Sequence, residues 1–268
     1  MKKLLYISAV FAALAAILYF LVLPDVSRLR KENPKKTSMM EYNEARKKKA
    51  KRHTVYQVWS PLANVSPYLV KAVVIAEDDK FYSHEGFDFE GMREALEKNI
   101  KAKKFKAGGS TISQQLVKNL YLTPQRSLLR KFREFLITWK MERTLSKRRI
   151  MELYLNVAEW GDGIYGAEAA SRHYFNKTAL YLTPEQAARL VAVLPNPIRY
   201  NAAGDQQFVT KRAAMIYDIM VKRGIVIEDY DEEDEGGTDG AASPLAAESQ
   251  QADPQANIIP ALSPQKQP

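Results

Sequence analysis

Between Leu4 and Leu23 the chain reads LLYISAVFAALAAILYFLVL, a 20-residue apolar run without a single charged side chain. As a helix it would be about 30 Å long, enough to cross the hydrocarbon core of a bilayer. A helix is also what such a run must form there, because lipid offers the backbone no hydrogen-bond partners. A cleaved signal sequence is the competing reading. The run is longer than a signal core and no small-x-small site closes it, so the sequence predicts one uncleaved anchor over residues 1–23. Eleven Lys and Arg follow between Arg28 and Arg52. Residues 24–53 therefore read as a basic juxtamembrane linker, lying on anionic headgroups or solvated as a spacer. By charge alone that linker would stay in the cytoplasm.

The absence of cysteine excludes disulfides and thiol catalysis. The formal charge of +9 conceals an asymmetry, since residues 228–268 hold ten acidic residues and one Lys. This acidic stretch, rich in Ala, Ser, Pro and Gln further on, reads as a disordered tail. Residues 1–227 carry 39 basic against 21 acidic residues, and such a basic body implies an anionic partner. Anionic lipid or phosphate fits. Nucleic acid does not, because no nucleic-acid motif accompanies the charge. Three histidines (His53, His84 and His173) give little scope for a histidine-rich metal site.

Two stretches organise the rest. In the first, Ser66-Pro67 is an N-cap followed by proline at the first helical position. Val70, Val74, Glu77 and Phe81 then recur on one helical face, which predicts a buried helix from Pro67 to about Phe81. Glu77 falls on that apolar face, where an ionised carboxylate is costly unless paired or used. A solvated helix end is the plain alternative for Glu77-Asp78-Asp79. In the second stretch, Gly108-Gly109 leads into a helix capped by Ser110 or Thr111 and running to about Leu122. Ser110, Gln114 and Lys118 share one face of it. Glycines before a helix that carries a lysine suit an anion, although the Gly-Lys-Ser/Thr core of a nucleotide loop is missing.

Further helices are predicted over 89–100, 126–145, 146–157, 184–194 and 205–223, with Thr183 to Gln186 forming a capping box. In the 126–145 helix Leu128, Phe132, Phe135, Leu136 and Trp139 make the apolar stripe, and Arg126, Arg130 and Glu134 repeat on a different face. Arg130 and Glu134 read as an i,i+4 ion pair, and Glu152 and Asn156 as braces of the fold. Thr54 to Trp59 alternates weakly, like a short strand, and the glycines at 161, 163 and 166 punctuate a loop. Five lysines surround Ile100 and Phe105, as in a flap touching a membrane or a basic loop.

Glu77-Asp78-x-x-Phe81-x-x-His84-x-Gly86-Phe87-Asp88, with GGSTISQQ at 108–115 and Lys118-Asn119, resembles the peptidoglycan glycosyltransferases of glycosyltransferase family fifty-one. Arg130-Lys-x-x-Glu134, Lys147-x-x-Ile150-x-Glu152-x-Tyr154-Leu-Asn156 and Ala169-Ala-x-x-Tyr174-Phe-x-Lys177 match as well. The run 156–166 is most similar to the monofunctional branch, in which proline is common where Asp162 stands.

The resemblance implies a mainly α, lysozyme-like domain over 54–227 behind the N-terminal transmembrane helix. It implies a bacterial cytoplasmic (inner) membrane protein with its domain on the outer face, against the local charge count. The reaction implied is polymerisation of lipid II into a growing glycan strand. Glu77 matches the catalytic base, and Glu134 the second carboxylate. Lys118 and Arg126 match the positions that contact the pyrophosphate, and Ser110, Gln114 and Gln115 would bind sugar or phosphate. Glu134 would either hold a divalent cation, Mg or Mn, or position Lys118 and Arg126. No organic cofactor is implied, and cell-wall transpeptidases or divisome proteins are the partners to expect. A lytic enzyme of similar fold and a non-enzymatic membrane scaffold are the rival readings.

Overall fold

The computed structural model describes residues 2–3, 5–7, 9–11, 23–49, 56–102, 108–125 and 127–226. Most of the apolar run, Arg126, the lysine-rich stretch 103–107 and the acidic tail lie outside the described residues. Among the described residues no helix is long and apolar enough to cross a membrane.

The body is mainly helical: α1 (Ser38–Lys49), α2 (Pro67–Glu77), α3 (Phe89–Ala102), α4 (Ile112–Tyr121), α5 (Leu128–Thr144), α6 (Lys147–Val157), α7 (Ala167–Phe175), α8 (Pro184–Val193) and α9 (Gln207–Lys222). Their starts follow the chain's own signals. Ser127, Ser146 and Thr183 each accept a backbone N–H at the third position of the helix they open, and Thr183 and Gln186 complete the capping box. At the other end of α7, Asn176 takes the left-handed conformation at φ 52° that ends a helix.

The core lies where α2, α4, α6 and α8 present apolar faces to one another. Leu69, Val73, Leu116, Ile150, Leu153 and Leu190 are all fully buried there. α8 is sandwiched between α2 and α9, and α4 between α5 and α6. A small sheet closes one side. β1 (Tyr56–Gln57) pairs in parallel with β3 (Ile164–Tyr165), which pairs antiparallel with β2 (Glu159–Gly161). The glycine run read as a loop is thus a hairpin, turning at Gly163 with φ 82°.

One expectation changes. Residues 24–53 are read as a linker, yet within their described part Val26, Leu29 and Met40 join the core. Hydrogen bonds tie this segment to the body: Lys140 donates to the Pro24 carbonyl (3.1 Å) and Arg149 to that of Leu29 (2.7 Å), while Arg30 of the segment donates to the Thr144 carbonyl (2.8 Å). Farther on, Asn43 donates to the Tyr165 hydroxyl (2.8 Å). The apolar stripe of α5 is largely turned outward. Leu128, Phe132, Phe135 and Trp139 are exposed, and only Leu136 is buried. The inward face of α5 is Glu134, Ile137, Thr138 and Met141.

Asn156 and Glu152 brace the fold as expected. Buried Asn156 accepts from the Ser60 N–H (2.8 Å) and donates to the carbonyls of Ser60 and Glu152 (2.8 Å each). Glu152 accepts from Leu62 N–H at 3.0 Å. Asn156→Ala leaves the two Ser60 backbone groups without partners in a dry place. Denaturant unfolding should therefore show a loss of about 2–3 kcal/mol.

Candidate active site

α2 stops at Glu77 because Asp78 leaves helical space (φ −165°, ψ 77°), four residues earlier than periodicity predicts. The buried Asp78 carboxylate explains the stop. It accepts the N–H of Ile112, the first residue of α4, at 2.9 Å, where the helix dipole favours an anion. It also meets His84 Nε2 at 2.9 Å. His84 Nδ1 accepts the Gly86 N–H (3.0 Å), so Nε2 carries the proton and donates to Asp78. Thr111 donates to the Gly86 carbonyl at 2.7 Å. Gly86 sits at φ 94°, and a Cβ there would stand 2.8 Å from Glu142 Cγ, so this position requires glycine. These bonds fix the end of α2 against the start of α4.

The two neighbouring glutamines of α4 have different tasks. Gln114 closes a capping box with Thr111, is buried, and does not line the cleft. Gln115 turns into it. Its amide donates to Glu77 Oε2 at 3.0 Å and accepts from the Tyr154 hydroxyl at 3.1 Å. Arg212 of α9 approaches from the other side, donating to Glu77 Oε1 at 3.2 Å. Glu77 stands between two hollows. One, of about 700 Å³, is lined by Ser110, Gln115, Lys118, Asn196 and Arg212. The other, of about 360 Å³, is lined by Asp79, Asp88, Met92 and Gly109.

Burial raises the pKa of Glu77, and the Gln115 hydrogen bond and the charges of Arg212 and Lys118 oppose that rise. Burial lowers the pKa of Lys118, against the pull of Glu134 and Glu77. In the role of a base Glu77 would have to be ionised, and activity would then be lost as pH falls through its pKa. Arg212→Gln removes a cation that holds this pKa down. The acid limb of kcat/KM should therefore move to higher pH, as a pH–rate profile will show.

Glu134 is buried on α5 and paired with Arg130 at 3.1 Å and with Lys131. Its charge reaches Lys118, while Arg126 lies outside the described residues. Cations thus occupy both Glu134 oxygens, and no group of three or more metal-ligating side chains occurs among the described residues. This donor set does not fit a divalent cation held by protein ligands. Among the described residues the cleft beside Glu77 instead carries two cations, Lys118 and Arg212. Arg212, 135 residues from Glu77, went unread in the sequence. Its helix was legible, but nothing in its spacing points at Glu77.

The sequence model of the transglycosylase family matches residues 43–221. The chain is 49% identical over 185 residues to a biosynthetic peptidoglycan transglycosylase of Dechloromonas aromatica, covering 69% of this chain and 80% of that protein. It is 46% identical over 215 residues to the protein of that name from Alcanivorax borkumensis, covering 80% and 85%. With the one from Aromatoleum aromaticum the identity is 52% over 184 residues, covering 68% and 78%. The matched region holds Glu77, Gln115, Lys118, Glu134 and Arg212 in one connected arrangement, and this chain belongs to the transglycosylase family.

Proposed function

We propose that the chain is a peptidoglycan glycosyltransferase that joins lipid II units into β-1,4-linked glycan strands and releases undecaprenyl pyrophosphate. The observation that carries this reading is Glu77, a carboxylate of raised pKa between two hollows, with Lys118 and Arg212 on one side of it. The acceptor sugar hydroxyl gives its proton to Glu77 as its oxygen attacks the anomeric carbon of the donor. The bond from that carbon to the pyrophosphate breaks, and direct displacement inverts an α-linked donor to a β linkage. Lys118 stabilises the charge growing on the departing pyrophosphate, and Arg212, which lines the same hollow, adds a second positive charge there. Glu134 acts by positioning: it holds Arg130 and Lys131 in place and keeps Lys118 charged against burial.

A lipid-linked substrate requires a cleft at a membrane. Phe89, Leu96 and Ile100 of α3 and Leu128, Leu129, Phe132, Phe135 and Trp139 of α5 are exposed apolar side chains. Phe87, stacked on Phe135 at 4.5 Å and 6.0 Å from Phe89, joins the two helices. An apolar patch of this kind marks a membrane or partner surface. In this reading residues 4–23 span the cytoplasmic membrane once, and the patch lies on its outer face. The test is polymerisation of fluorescent lipid II by the detergent-solubilised full chain. Long, lysozyme-sensitive strands are expected. A folded protein that makes none would overturn the reading, and shortening of preformed glycan would replace it with a lytic one.

A further inference from the structure

A third cavity, of about 550 Å³, opens beside His84. Tyr82, His84, Glu85, Trp139, Glu142, Arg143 and Lys147 are among its walls. We propose that it seats the phosphodiester headgroup of an anionic glycerophospholipid; this rests on the membrane reading of the α5 face and goes beyond it.

Place is the first argument. Trp139 ends the exposed apolar face of α5, and Arg143 is one turn farther along the same helix. The segment that follows the apolar run is fastened to that turn, with Pro24 bound by Lys140 and Arg30 bound to Thr144. The cavity therefore lies beside the point where the chain leaves residues 4–23. In a spanning anchor this is headgroup depth, where Trp and Tyr concentrate. Tyr82 and Trp139 are both exposed there.

Charge is the second. The Arg143 guanidinium lies over the Trp139 ring at 4.4 Å, and no carboxylate reaches it among the described residues. Its planar donors suit a phosphate, and its stacking keeps them at the rim. One oxygen of Glu142, Oε1, is held by both Lys147 (2.8 Å) and the Ser113 hydroxyl, and the Lys147 charge offsets its negative field. Glu85 is the one opposing charge in the wall without such a partner among the described residues.

The full chain in phosphatidylcholine nanodiscs containing one-fifth phosphatidylglycerol tests this, with bromine on the acyl chains of one lipid at a time. The Trp139 contribution to fluorescence is isolated by subtracting Trp139→Phe. Brominated phosphatidylglycerol should quench it about fivefold more per mole than brominated phosphatidylcholine. Arg143→Gln should abolish the excess, Arg143→Lys should keep part of it, and Glu85→Gln should enlarge it. Equal quenching by both lipids, or an excess that survives Arg143→Gln, overturns the proposal. So does displacement of the lipid by millimolar glycerol phosphate, which would mark a site for a free anion. Quenching by neither lipid overturns it together with the membrane reading of α5. Failure of the glycosyltransferase reading would appear separately, as absent polymerisation with the lipid preference intact.

Discussion

Glu77→Gln is expected to lower lipid II polymerisation by roughly 10²–10⁴-fold, the usual contribution of a positioned general base. The amide matches the carboxylate in shape but cannot take a proton. It also turns one accepting oxygen into a donor that faces either Gln115 or Arg212, both of which donate to Glu77. The mismatch is small in stability terms, because replacing a buried carboxylate relieves its desolvation. The variant should bind membranes and unfold near the wild-type midpoint while making almost no glycan. A variant with a substantial residual rate would assign the base elsewhere.

Lys118→Ala is expected to cost about 10²–10³-fold, and to cost it in kcat more than in KM. In the proposed reaction the ammonium meets a charge that develops fully only as the pyrophosphate leaves, so its loss would fall on the transition state. A second effect runs through Glu77. Lys118 helps hold the Glu77 pKa down, so its removal should also shift the acid limb of the rate profile upward. Glu134 keeps Arg130 and Lys131, which limits the structural damage. Recovery of part of the rate in Lys118→Arg, measured by single-turnover polymerisation, would separate charge from packing. A drop confined to KM would instead make Lys118 a ground-state binder.

Much of this was legible because local signals decide local structure. Ser66-Pro67, Ser146 and the Thr183 box mark helix starts that the backbone adopts. What spacing leaves open is the direction a face points. Leu128, Phe132, Phe135 and Trp139 repeat at helical spacing, and spacing defines a stripe without saying whether protein or another apolar medium covers it. On the opposite face of α5, Glu134 and Thr138 are buried because ion pairing and a hydrogen bond to the helix backbone satisfy them, which periodicity cannot register. The site was half readable for a similar reason. Gln114 and Gln115 are neighbours of one type, and only three-dimensional placement separates the cap from the cleft residue. Arg212 is joined to Glu77 by the packing of α9 on α2, a contact between distant parts of the chain.

The fastening of residues 24–43 also sets a schedule for folding. Its hydrogen bonds to α5, α6 and β3 close loops of 114 to 122 residues. At the pace of synthesis, the partners of Pro24 and Asn43 emerge on the order of ten seconds later. During that interval the turn at 27–30 lacks its contacts with α5, although α1, which carries Met40, has α4 to pack on sooner. Such long-range closure is slow and leaves apolar surface open meanwhile. The segment that begins the body is thus among the last parts to settle into it.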